Sequence, residues 1–74
     1  MYSNERIACN PDIMVGKPVI KGTRIAIELL LKKLSEGMSI EELITAYPQL
    51  KKEDILAAIS YSAEVISREE MIVS

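Results

Sequence analysis

The sequence lacks the residues that build most catalytic and metal sites. Among its 74 residues there is no histidine and a single cysteine, Cys9. One cysteine cannot form a disulfide within the chain, and zinc sites are normally built from several histidines and cysteines. A lone thiol is also typical of proteins in a reducing compartment, which favours a cytoplasmic location. We therefore expect no disulfide, no metal and no other cofactor.

Large aromatic side chains and long apolar runs are also scarce. The chain has no tryptophan or phenylalanine and three tyrosines, although 49% of its residues are hydrophobic. A core of aliphatic side chains and methionine favours helices over strands. No apolar run approaches the roughly 20 residues of a membrane span, and residues 1–6 show no signal-peptide pattern. The sequence predicts one small soluble domain, and domains of this size often gain stability as homodimers.

The charged residues are unevenly distributed along the chain. Residues 1–33 carry six basic and three acidic side chains, whereas residues 34–74 carry three basic and eight acidic ones. The net charge of −2 argues against strong nonspecific nucleic-acid binding, which depends on neutralising phosphates. The asymmetry leaves room for one basic and one acidic face, and ordinary solvated surface charge is the simpler interpretation.

Hydrophobic spacing predicts three helices over residues 27–67. The first runs to about Glu36 and ends at Gly37, a residue suited to a left-handed position. The second begins with a capping box formed by Ser39 and Glu42 and ends at Pro48. The third begins near Lys51 or Lys52 and runs to about Ser67. The predicted inward side chains are Ile27, Leu30, Leu31 and Leu34 in the first helix, Ile40, Leu43, Ile44 and Tyr47 in the second, and Ile55, Ile59, Ala63 and Ile66 in the third.

The first 26 residues have a different pattern, typical of short strands and loops. Residues 6–9 and 18–20 are strand candidates, and residues 23–26 can return as a third extended piece after a turn at Lys21 and Gly22. Residues 68–74 form a mixed tail. We therefore predict a single mainly α domain over residues 1–74, in which three helices follow short N-terminal β-strands or a hairpin.

No constellation of residues predicts catalysis. There is no histidine to act as a base or to activate Cys9. The carboxylates of residues 41–42 and 53–54 are adjacent in sequence, so they point to different helical faces and are better explained as charges that complement a helix N-terminus. The three glycines do not have the spacing of a phosphate-binding loop. We expect a binding protein rather than an enzyme.

The second and third predicted helices, joined by a short turn, have the outline of a helix-turn-helix. In that motif the N-terminal residues of the second helix enter the major groove, and here those residues are Gln49, Lys51 and Lys52. Phosphate contacts can come from the N-terminal hairpin, whose candidates are Lys17, Lys21, Thr23 and Arg24. Two helices that meet at an angle are also common in proteins that never touch DNA, and Glu53 and Asp54 would repel phosphate.

Four blocks of sequence carry a family resemblance. They are residues 16–25 (GKPVIKGTRI), 37–43 (GMSIEEL), 47–50 (YPQL) and 53–58 (EDILAA). From Ile7 to about Ala63 the chain resembles a family of short prokaryotic proteins catalogued as a domain of unknown function. Its members are regarded as VapB-like antitoxins of type II toxin–antitoxin modules. The first block is the specific part of the match.

The resemblance implies a three-helix, homeodomain-like helix-turn-helix after short strands, often as a dimer. It also implies a nuclease-like toxin encoded by a neighbouring gene and binding to the module's own operator DNA. One departure concerns Lys51, which stands where the family has a threonine suited to capping a helix. The apolar tail residues Met71, Ile72 and Val73 are candidates for contacting the toxin.

Three functions remain open from the sequence. The first is an antitoxin that binds a toxin ribonuclease and, as a dimer, its own operator. The second is a stand-alone DNA-binding regulator, which requires the basic hairpin and the start of the third helix to share one face. The third is a protein–protein adaptor without DNA affinity, acting through its acidic helical surface.

Overall fold

The computed structural model contains three helices preceded by a two-stranded antiparallel hairpin. It describes the backbone of residues 5–9 and 16–73, and the side chains as far as residue 67. The elements are β1 (Ile7–Cys9), β2 (Pro18–Ile20), α1 (Ile27–Ser35), α2 (Ile40–Ala46) and α3 (Lys52–Val73). This arrangement confirms the predicted fold class. No helix among the described residues is long and apolar enough to cross a membrane.

The hairpin is short and is followed by a tight turn before α1. Ile7 lies opposite Ile20, and Cys9 lies opposite Pro18. The predicted third extended piece contributes only one bridge, between Val19 and Ala26. The Thr23 hydroxyl holds the turn, since it donates to the Ile20 carbonyl oxygen at 2.8 Å and accepts from the Ile25 N–H at 3.0 Å. This turn therefore connects β2 to α1.

α1 and α2 begin and end as local sequence signals predict. Gly37 has φ 100° and donates its N–H to the Leu34 carbonyl, while Met38 donates to the Lys33 carbonyl. These two bonds form a Schellman motif, which satisfies carbonyl groups at the end of α1. The helix ends at Ser35, one residue before the predicted end. The capping box is confirmed, because the Ser39 N–H donates to Glu42 Oε1 and the Glu42 N–H donates to Ser39 Oγ. α2 ends at Ala46, just before the predicted break at Pro48.

The core lies where the three helices meet the hairpin. Leu30, Leu43 and Ile55 are 0% exposed, and each comes from a different helix. The hairpin adds Val19 and Ile20, both almost fully buried. The predicted inward residues of α1 and α2 are confirmed as buried or packed against this cluster.

The prediction for α3 was wrong in two respects. The helix continues to Val73, so residues 68–73 are helical rather than a separate tail. Its inward face is also different: Ile55 is buried as predicted, but Ala58 is buried beside it, whereas Ile59, Ala63 and Ile66 are exposed. Apolar residues occur on both sides of this helix, so hydrophobic spacing alone admitted two different inward faces. The face set by Asp54, Ile55 and Ala58 is the one that packs on the core.

Candidate nucleic-acid interface

A series of three hydrogen bonds runs from the hairpin to the start of α3, and one of them, between Arg6 and Asp54, connects the two elements. The Lys21 N–H donates to the Arg6 carbonyl oxygen at 2.7 Å. Arg6 Nη1 donates to Asp54 Oδ1 at 2.8 Å, and the Lys51 N–H donates to Asp54 Oδ2 at 2.9 Å. These bonds link Arg6, Lys21 and Lys51, and Lys52 follows Lys51 in the chain. We call these four residues the basic corner: Arg6, Lys21, Lys51 and Lys52.

Asp54 is the centre of the corner. It is 7% exposed, and an acid so deeply buried requires partners for its charge. Arg6 supplies the opposite charge, and the Lys51 N–H is one of the donors that the start of a helix leaves without a backbone partner. Lys51 has no side-chain oxygen to return a capping bond, so only half of a capping box is present. Asp54 therefore provides one of the two capping bonds, and a threonine at position 51 would have provided the other.

The DNA-contact residues predicted from the sequence fall into two groups, those that are exposed and those whose side chains already have partners. Gln49, Lys51 and Lys52 are exposed in or beside the first turn of α3, and Lys21 and Arg24 are exposed around the turn after β2. Lys17 is exposed but pairs with Glu28 of α1, with 3.2 Å between Nζ and Oε1. The two hydrogen bonds of the Thr23 hydroxyl hold its own turn. The corner is therefore the part of the predicted site that the fold brings together.

The electrostatics of the corner are mixed but favour anions. Glu53 is an exposed acid in the same first turn of α3. The Asp54 charge is balanced by Arg6, so it opposes an approaching phosphate less than its sequence position suggests. Lys21 and Lys51 remain exposed on the two joined elements. The start of a helix adds a favourable partial positive charge.

Beyond its first turn, the outward face of α3 is apolar. Leu56 is 46% exposed, Ile59 39% and Ile66 58%, and Ala63 is exposed between them. We call these four residues the apolar stripe. Base edges are read mainly by polar and charged side chains, so the stripe does not extend a DNA-reading surface along the helix. Contacts to DNA from α3 would come from its first turn.

The remaining candidate sites carry little chemistry. Cys9 is a free, exposed thiol at the end of β1. A shallow groove on α2 is lined by Glu41, Glu42, Thr45 and Ala46. Within the described part of the chain, no cluster of three or more histidine, cysteine, aspartate or glutamate side chains is placed to hold a metal ion. The side chains of Met71, Ile72 and Val73 lie outside the described residues.

Sequence reasoning missed Arg6 and misjudged Asp54. Arg6 was predicted only as the start of a strand, and Asp54 only as a helix-terminal charge that would repel DNA. Their ion pair joins residues 48 positions apart, and no local pattern reports such a contact. The sequence did contain one signal for Asp54. It lies three residues after Lys51, which caps a helix poorly, and an acid at that position can accept a hydrogen bond from the N–H of the capping residue.

Comparison with known proteins places these features in a family. The family model described as "Protein of unknown function (DUF433)" matches residues 7–62. An uncharacterized protein of Sinorhizobium fredii, y4eO, is 33% identical over 60 residues, which are 81% of this chain and 27% of that protein. The chain thus spans about a quarter of this relative's length. A crystal structure of a DUF433 member protein from Anabaena variabilis is similar with a TM-score of 0.79 and 28% identity, covering 93% of this chain and 69% of that one.

Proposed function

This chain belongs to the DUF433 family of proteins of unknown function, and we propose that it is a VapB-like type II antitoxin without catalytic activity of its own. In this proposal it binds a nuclease-like toxin encoded by a neighbouring gene and recognises its own operator DNA in the cytoplasm. No cofactor is required. The observation that carries the DNA-binding part is the hydrogen-bonded link between the hairpin and α3 through Asp54.

The link matters because the DNA-binding hypothesis has a geometric requirement. The basic hairpin must lie on the same face as the start of the second helix of the helix-turn-helix. The bonds from Lys21 to Arg6, and from Arg6 and Lys51 to Asp54, link the two elements and support this arrangement. Lys21 would then hold phosphate, while Gln49 and Lys51 would reach base edges.

Binding of a toxin is supported by charge and by the C-terminal turns of α3. A nuclease must present a basic cleft to phosphates, so an acidic partner surface is complementary to it. This chain is acidic overall, and Glu36, Glu41 and Glu42 are exposed around the start of α2. Met71 and Ile72, in the last turn of α3, are the apolar residues we assign to the toxin contact.

Co-expression tests the toxin-binding part of the proposal. We expect this chain to restore growth of cells that express the nuclease-like product of the adjacent gene, and to co-purify with that product. A Met71→Glu and Ile72→Glu double variant should lose both effects, because buried charge is costly in an apolar contact. A Ser67→Glu variant changes an exposed position of the same helix and serves as the control. Failure of the unmodified chain to bind or silence the neighbouring protein would contradict the antitoxin role.

DNA binding is tested by reversing charges at the corner. We expect Lys21→Glu and Lys51→Glu each to weaken binding to the DNA upstream of the gene by about ten-fold or more, because each removes a phosphate or base contact and adds repulsion. Fluorescence anisotropy with labelled duplexes measures the effect. Lys32→Glu makes the same charge change in the last turn of α1, outside the corner, and should have a much smaller effect.

The same measurements separate the two alternatives. Operator binding without any toxin partner would identify a stand-alone regulator. Partner binding without DNA affinity, even at low salt, where electrostatic attraction is strongest, would identify a protein–protein adaptor.

A further inference from the structure

The apolar stripe of α3 is exposed to solvent although three of its four residues, Leu56, Ile59 and Ile66, have large apolar side chains. From its spacing and from the charges at its two ends, we propose that it is the interface of a homodimer in which two α3 helices pack antiparallel. The four residues of the stripe lie outside the proposed DNA site, which the inferred interface reaches only at Lys52. Its test does not depend on whether the chain binds a toxin or an operator.

The spacing of the stripe is that of a coiled-coil seam. Leu56, Ile59, Ala63 and Ile66 are separated by three, four and three residues. Alternation of three and four keeps side chains on one stripe along a helix that packs lengthwise against another helix. Continuing the same alternation adds Lys52 before Leu56 and Glu70 after Ile66. We call the resulting set the α3 seam: Lys52, Leu56, Ile59, Ala63, Ile66 and Glu70.

The opposite side of α3 is already committed to the core. Asp54, Ile55 and Ala58 are buried there, and α3 packs against α1, α2 and β1. Every seam residue with a described side chain is instead exposed. The helix has 22 residues, which gives it a length of about 33 Å. It can therefore present the seam to a partner without disturbing its own domain.

Size and charge identify the partner as a second copy in the antiparallel orientation. When two seams run in opposite directions with residue 61 at the centre, Leu56 lies opposite Ile66 and the small Ala63 lies opposite Ile59. Lys52 lies opposite Glu70 at both ends. In a parallel pair, Lys52 would face Lys52 and Glu70 would face Glu70, and Ala63 would face Ala63. The antiparallel arrangement therefore fills space more evenly and pairs opposite charges.

The arrangement has a consequence for the basic corner. Each Lys51 would lie at an outer end of the helix pair, and the two would be separated by about 30 Å along the helix axes. That separation is comparable to one turn of DNA, which sets the distance between the two half-sites read by dimeric helix-turn-helix proteins. The dimer is thus compatible with the proposed operator binding, although it does not require it.

Sedimentation equilibrium of the full chain tests the interface. We expect a reversible dimer whose dissociation constant rises about a hundred-fold or more in Leu56→Glu and in Ile66→Glu, because each variant places two charges in one apolar seam. Leu29→Glu is the matched control, since Leu29 is a partly exposed leucine of α1 that lies outside the seam. Circular dichroism checks that each variant is folded. A chain that is monomeric at all concentrations, or a dimer indifferent to these two changes, would overturn the proposal.

Charge reversal tests the orientation without risk to the fold. Lys52→Glu and Glu70→Lys should each weaken the dimer by about five- to twenty-fold, because two pairs change from attraction to repulsion. The double variant should regain most of the lost affinity, since it restores opposite charges in the antiparallel pair. In a parallel pair the double variant would keep like charges opposite each other, and its failure to recover would overturn the antiparallel arrangement.

Discussion

Replacing Asp54 with alanine is expected to lower the free energy of unfolding by about 2–3 kcal/mol. The change removes the acceptor of the Lys51 N–H, the partner of Arg6 and a favourable charge at the start of α3. The Arg6 side chain is 44% exposed, so water compensates part of the lost ion pair and the estimate stays moderate. Urea denaturation followed by circular dichroism measures the difference.

Glu53 provides a matched control for this experiment. It is an acid in the same turn of α3, but it is exposed. Glu53→Ala should therefore change stability little, although it removes the same charge. Because Asp54 joins the hairpin to α3, the Asp54→Ala variant should also lose DNA affinity under conditions in which it remains folded. Equal stability of the two alanine variants would show that the corner is not held together by Asp54.

Replacing Leu30 with alanine should have the largest effect on stability, about 3–4 kcal/mol. Leu30 is 0% exposed at the centre of the core, so the substitution removes apolar contacts and leaves a cavity among tightly packed side chains. A domain of 74 residues has a total stability on the order of 4–11 kcal/mol, so much of it would be lost.

The neighbouring Leu29 makes this comparison direct. Leu29→Ala is the same chemical change one residue earlier in the same helix, at a side chain that is 36% exposed. Its effect should be well under half of the Leu30 effect, because less apolar surface returns to water. Similar losses for both variants in thermal or urea unfolding would contradict the assigned inward face of α1.

The parts of the fold that follow from local chemistry could be predicted from the sequence. The capping box of Ser39 and Glu42 and the glycine that ends α1 act through bonds within a few residues. Such signals are complete in the sequence itself. The inward faces of α1 and α2 were also predictable, because apolar residues fall mainly on one side of each helix.

α3 shows where sequence reasoning fails. Its first turns carry apolar residues on two faces, and only the positions of α1, α2 and β1 decide which one is buried. Three residues of the apolar stripe, Ile59, Ala63 and Ile66, were therefore mistaken for core. The length of the helix was underestimated as well, because residues 68–74 were interpreted as a mixed tail, although arginine and glutamate, the residue types at positions 68–70, are good helix formers.

Most residues of the candidate site could be predicted from the sequence, but their arrangement in space could not. Lys21 and Lys51 were selected for their charge, yet the contact that joins their elements depends on Arg6 and Asp54, which are 48 residues apart. Thr23 was selected as a phosphate contact, but its hydroxyl is hydrogen-bonded within its own turn. Long-range contacts of this kind are set by packing and leave no periodic signal in the sequence.

The central claim is that the hairpin and the start of α3 form one DNA-binding surface, and the salt dependence of binding tests it most directly. Affinity for the upstream DNA should be measured over a range of salt concentrations for the unmodified chain and for Lys21→Gln, Lys51→Gln and Lys32→Gln. We expect the magnitude of the slope of log affinity against log salt to fall by about 1 for Lys21→Gln, which removes a phosphate contact, to fall less for Lys51→Gln, which removes a base contact, and to stay unchanged for Lys32→Gln. Binding that is independent of salt, or a slope unchanged by both corner variants, would contradict the account.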